Sequence, residues 1–126
     1  MIDDAVRAYL DALLPDRRPL FDRFHRLVME AHPDADVILS YRMPTYVVGD
    51  YRLHVGVWKH GLSVYGWVAG RDGGFSARHP QLVNDTGTLR LPLADAEHIG
   101  DDELRELARE ALGGRHEPSP DPVTAR

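Results

Sequence analysis

The chain has 126 residues, a net charge of −5 and no cysteine. That length suits one domain. The absence of cysteine excludes disulfides, thiolate metal sites and iron–sulfur ligation by this chain, and the negative charge gives no electrostatic reason to expect nucleic acid. No apolar run approaches the ~20 residues of a membrane helix, and Asp3-Asp4 make the start acidic where a leader would be basic. A cytoplasmic protein with no membrane partner is expected.

In chain order, Ile2, Val6, Tyr9, Leu10, Leu13 and Leu14 form one stripe of an amphipathic helix. Pro15 ends it, because proline lacks the amide and clashes with the preceding turn. Asp16 is placed to cap a second helix, with Pro19 in its first turn. Leu20, Phe21, Phe24, Leu27, Val28 and Ala31 make its inner stripe, and Pro33 closes it.

From Asp36 the apolar period shifts towards 2. Val37 to Tyr41 reads as a strand, interrupted at Met43-Pro44, and Thr45 to Val48 as another. Gly49-Asp50 is a two-residue turn that begins with glycine at positive φ. Tyr51 to Trp58 alternates as a long third strand, and Lys59-His60-Gly61 turns it into Leu62 to Trp67. Gly70 to Gly74 reads as a loop, Phe75 to Val83 as a short irregular helix, and Thr88 to Leu91 as a strand ended by Pro92. A last helix runs from about Asp101 to Leu112, with Gly113 as its left-handed stop.

The expected architecture is therefore α+β. Two N-terminal helices precede an antiparallel sheet of about five strands and a C-terminal helix, with the helices on one face. Residues 1–113 form the single domain, and 114–126, with three prolines and no apolar period, read as a disordered tail.

Three segments then carry a family likeness: Ile38-Leu39-Ser40-Tyr41-Arg42-Met43-Pro44-Thr45-Tyr46, Lys59 to Tyr65, and Thr86-Gly87-Thr88-Leu89-Arg90-Leu91-Pro92-Leu93. Their order and spacing resemble the YdhG-like family of domains of unknown function over roughly residues 3 to 112. Two positions depart from the family pattern, Thr86 standing for a lysine and Tyr41 for a tryptophan. The resemblance implies a helix-flanked sheet of frataxin-like shape. It also implies an intracellular iron carrier that delivers weakly bound iron to a protein acceptor; beside it stands a non-enzymatic adaptor that docks to a partner through the open face of the sheet.

A frataxin-like metal surface uses carboxylates of the first helix and the edge strand as hard oxygen ligands. The positions that answer to it are Asp3, Asp4, Asp11, Asp34 and Asp36. The plainer reading of the helix acids is a solvated face favoured by the helix dipole.

The second candidate is the sheet face turned away from the helices. If Leu53, Val55 and Val57 point inward, then Arg52, His54, Gly56 and Trp58 point outward. With matching parity on the neighbouring strands, Trp58, Tyr65, Trp67, His54 and Arg90 would pave one surface, joined by Tyr41 from the first segment. Such a surface suits a small planar or anionic ligand, a protein partner or a second copy of the chain. Cross-strand aromatic pairing is the plainer alternative, and the opposite parity would put Tyr65 and Trp67 in the core.

Seven histidines form no metal-binding spacing. The Gly70-Arg71-Asp72-Gly73-Gly74 stretch would offer amides to a phosphate but lacks a nucleotide-loop ending. Asp101 and Arg105 are spaced as an i, i+4 pair. No nucleophile pattern is present, so a binding domain is expected rather than an enzyme.

Overall fold

The structure, a computed structural model, describes residues 3–66, 71–84 and 88–113. Trp67, Gly70, Thr86, Gly87 and the segment from 114 onward lie outside the described residues. The element order is α1 (Asp4–Asp11), a 3₁₀ turn (Pro15–Arg17), α2 (Arg18–Ala31), β1 (Asp36–Ser40), β2 (Met43–Val48), β3 (Tyr51–Trp58) and β4 (Gly61–Tyr65). Then come α3 (Phe75–Arg78), a 3₁₀ turn (Pro80–Leu82), β5 (Leu89–Pro92), α4 (Leu93–Ala96) and α5 (Asp101–Ala111). The five strands form one antiparallel meander in the order β1-β2-β3-β4-β5; short turns join β1 to β4 in sequence, and the longer stretch with α3 brings β5 back beside β4.

The core sits between the long helices and one face of this sheet. Val37, Tyr46, Leu53, Val55, Leu62, Val64, Leu89 and Leu91 share that face. They join Val6, Phe21, Phe24, Leu27, Leu104, Leu107 and Leu112 in a single buried cluster. Each such fully buried side chain contributes about 1.5–3 kcal/mol relative to exposure. Tyr46 is buried among them with its hydroxyl 2.8 Å from His25 Nδ1, so its polar tip is satisfied by α2. Burial, with a smaller push from Asp22, raises its pKa far above the ordinary 10.0.

Several local expectations need correction. The stripe of the first helix stops early, because the α-helix closes at Asp11 and leaves Leu14 56% exposed. Asp16 does not cap α2. It lies inside the 3₁₀ turn, and Arg17, at the N-cap, makes no side-chain capping bond. The break between the first two strands falls at Tyr41-Arg42 rather than Met43-Pro44. Proline is tolerated there because the β2–β3 ladder ends at Thr45↔His54, one residue short of Pro44, which has no N–H to extend it.

Asp101 does not bond Arg105. Instead it accepts from Arg23 at 2.7 Å and Arg26 at 3.0 Å, while Arg105 reaches Glu30 and Asp102. Arg23 also donates to the carbonyls of Ala96 and Ile99, so α2 holds the α4–α5 connection through one guanidinium. In the described part of the glycine loop the Gly74 amide is committed to the chain itself. Asp72, 4% exposed, already takes the amides of Gly74 and Ser76 and the Ser76 hydroxyl. Gly113, at φ 106, does supply the left-handed stop.

Candidate functional site

With the core on one parity, the other parity faces away from the long helices, and register decides what meets there. One row across the sheet reads Ile38, Thr45, His54, Tyr65. The next runs through Gly56, Ser63 and Arg90, and Trp58 stands opposite Gly61 beyond it. The outward parity expected for His54, Trp58, Tyr65 and Arg90 therefore holds for these described residues.

His54 is the centre of a compact group. Its ring lies 5.1 Å from that of Tyr65 and 5.4 Å, edge-on, from that of Tyr41. Thr45, fully buried, holds the imidazole from below with Oγ1 2.8 Å from Nδ1. The threonine hydroxyl has one proton, and Met43 O accepts it at 3.2 Å. On that assignment Nδ1–H donates to Oγ1 and Nε2 keeps its lone pair. No described residue bonds Nε2.

Gly66 closes the far side. A Cβ there would come within 2.9 Å of His54 Cδ2, and its φ of +109 is open to glycine alone at low cost. The Tyr65 hydroxyl donates to Met43 Sδ at 3.2 Å, and that sulfur lies over Gly56.

Tyr41 reaches His54 from a strained position. It and Arg42 form the two-residue loop between β1 and β2 with φ of 53 and 63, the pattern of a type I′ turn, which favours Asn-Gly. Tyr41 is 77% exposed, so no burial compensates that backbone. Strain held with only an edge-on ring contact to offset it points towards a role for the side chain it presents.

Trp58 and Arg90 form a second group on the same face. The guanidinium carbon sits 4.7 Å from the indole centroid, and His60 meets the ring edge-on. Among the described residues the indole N–H is buried without a hydrogen-bond partner, a situation that costs about 1–3 kcal/mol.

The structure thus brings Tyr41, His54 and Tyr65 together and puts Trp58 and Arg90 in an adjoining group, with the small Gly56 and Ser63 between them. Sequence reasoning left Met43, Thr45 and Gly66 out of the site, and only the register found here could have supplied them. Asp3, Asp4, Asp11, Asp34 and Asp36 are all exposed. Among the described residues no three His, Asp or Glu side chains are arranged to hold a metal ion. Nor is any described helix long and apolar enough to cross a membrane.

Burial, reinforced by the charge of Arg52, holds the His54 pKa below the ordinary 6.5. Burial does the same to His25, against a smaller pull from Asp22. Hydrogen bonds from arginines hold Asp101, Glu30 and Glu103 below their ordinary values of 3.8, 4.5 and 4.5. The sign is the same for both classes, since unfolding takes up protons as the pH falls below the unfolded values. The urea midpoint should therefore be flat above about pH 7, begin to decline below pH 6.5 as the histidines protonate, and fall again below pH 4.5. A midpoint that rises on acidification from neutrality would contradict the burial of both imidazoles.

Comparison with protein-family models, with curated proteins and with solved structures finds no match in any of the three.

Proposed function

We propose that the protein is a binding domain whose ligand docks on the open face of the sheet. One observation carries this reading: the Tyr41–His54–Tyr65 group, held by Thr45 beneath and presented by a strained turn. Cross-strand pairing accounts for His54 against Tyr65. It does not account for an exposed tyrosine kept at positive φ, where asparagine would cost less in the backbone and only the edge-on contact with His54 offsets the difference. Flat rings packed about one imidazole favour a planar organic ligand, and the described residues gather no three ligands for an ion.

Iron carriage, which the family resemblance implies, rests on that resemblance and on aspartates that the described residues do not gather into a set of three. The open face therefore carries the proposal.

The test is a screen of flat aromatic fragments by thermal shift, on the native protein and on Tyr41→Ser. Because Tyr41 is so exposed, the variant keeps its fold. The reading predicts hits whose shifts disappear in the variant. Hits that stabilise both proteins equally would place binding elsewhere.

A further inference from the structure

Most of the arginines around the helices are committed to carboxylates. Around the helices Arg18, Arg23, Arg26, Arg78, Arg105 and Arg109 each hold a carboxylate within 3.2 Å. On the open face Arg52 and Arg90 stand on β3 and β5, while Arg42 and Lys59 occupy the β1–β2 and β3–β4 turns at one end of the meander. None of these four forms an ion pair among the described residues. The one strand carboxylate of the same parity, Asp36, lies opposite Val47 on the edge strand, two strands from Arg52. The open face of a chain of net charge −5 thus carries four cations that no described carboxylate pairs, as Arg7 and Arg17 are left on the helical side.

Their placement relative to the rings is specific. Arg52 is two residues from His54 on the same face of β3, and its charge is felt there, since it helps to hold the imidazole neutral. Arg90 is the diagonal neighbour of Tyr65 across β4–β5, a separation of about 7–8 Å. Stacking on Trp58 fixes the Arg90 guanidinium, and no described residue takes its donors. A ring surface with forked donors one residue away is the arrangement that recognises a flat anion.

We infer that the ligand of the open face is an aromatic carboxylate, its ring lying against Tyr41, His54 and Tyr65 and its carboxylate taken by Arg52 or Arg90. This deepens the binding-domain reading and rests on it. The face is complementary in charge to such an anion, whereas six of the arginines around the helices already hold carboxylates.

The experiment titrates the protein with naphthoate and with its neutral amide, following backbone amide NMR signals, and repeats both titrations on Arg52→Gln, Arg90→Gln and a control, Arg7→Gln. Both face residues are exposed, so the variants are expected to fold. The inference predicts that naphthoate shifts residues around Tyr41, His54 and Tyr65. The neutral amide should bind at least about tenfold more weakly, and at least one face variant should lose the carboxylate advantage by about tenfold while Arg7→Gln keeps it. Equal binding of acid and amide at that surface would overturn the anion assignment and leave the open-face reading standing. Shifts confined to the helical side, or none, would overturn both. Concentration-dependent broadening of the face without any probe would overturn the inference in favour of a second copy of the chain as occupant.

Discussion

Replacing Gly61 by alanine is expected to destabilise the protein by about 3 kcal/mol or more. Gly61 is buried at the start of β4, opposite Trp58 on β3 and Pro92 on β5. A Cβ at this position would lie 2.1 Å from the carbonyl oxygen of Leu91 and 2.8 Å from Cα of Pro92. Both are backbone atoms, so no rotamer change relieves the overlap, and β5 itself has to move. That strand carries Leu89 and Leu91, both fully buried in the core. Displacing it opens the core on one face and carries Arg90 away from Trp58 on the other. Urea unfolding measures the loss directly. A midpoint within about 1 kcal/mol of the native protein would show that β5 does not pack against Gly61 as described.

The turn that presents Tyr41 should respond in the opposite direction. Arg42→Gly is expected to stabilise the protein by about 1 kcal/mol, because glycine accepts a φ of 63 without the Cβ penalty borne by other residues. Tyr41→Asn gains a similar backbone term but loses the edge-on contact with His54, worth about 0.5–1.5 kcal/mol. The two effects nearly cancel in stability. Binding on the open face should nevertheless weaken by about tenfold in Tyr41→Asn and change little in Arg42→Gly if the ring is what the ligand meets. Chemical denaturation of both variants, paired with fragment titration, separates the two contributions. If Arg42→Gly leaves stability unchanged, the turn stores no strain, and the argument from Tyr41 fails with it.

Much of the fold is legible in the sequence where local pattern alone decides it. The alternation from Tyr51 to Trp58 fixes β3 to the residue, and Phe21, Phe24, Leu27 and Val28 fix the inner stripe of α2. Misreadings arise where a distant group overrides a local rule. Asp101 is spaced for Arg105, but α2 brings two arginines closer to it. The Tyr41-Arg42 loop carries none of the usual turn residues, so a neighbouring proline attracts the assignment. The site divides along the same line. The outward parity of His54, Trp58, Tyr65 and Arg90 follows from period 2, whereas the Thr45 hydroxyl beneath His54 and the Met43 sulfur beside Tyr65 depend on the register of β2. No single strand's sequence contains that register.

The central claim is that the open sheet face, rather than the helical side or its acids, is where this protein binds. The most direct measurement is an amide NMR shift map of the full chain with a fragment that stabilises it. The account predicts shifts clustered at Tyr41 to Thr45, His54 to Trp58, Ser63 to Tyr65 and Arg90. Shifts clustered instead on α1 and around Asp34 to Asp36 would contradict it.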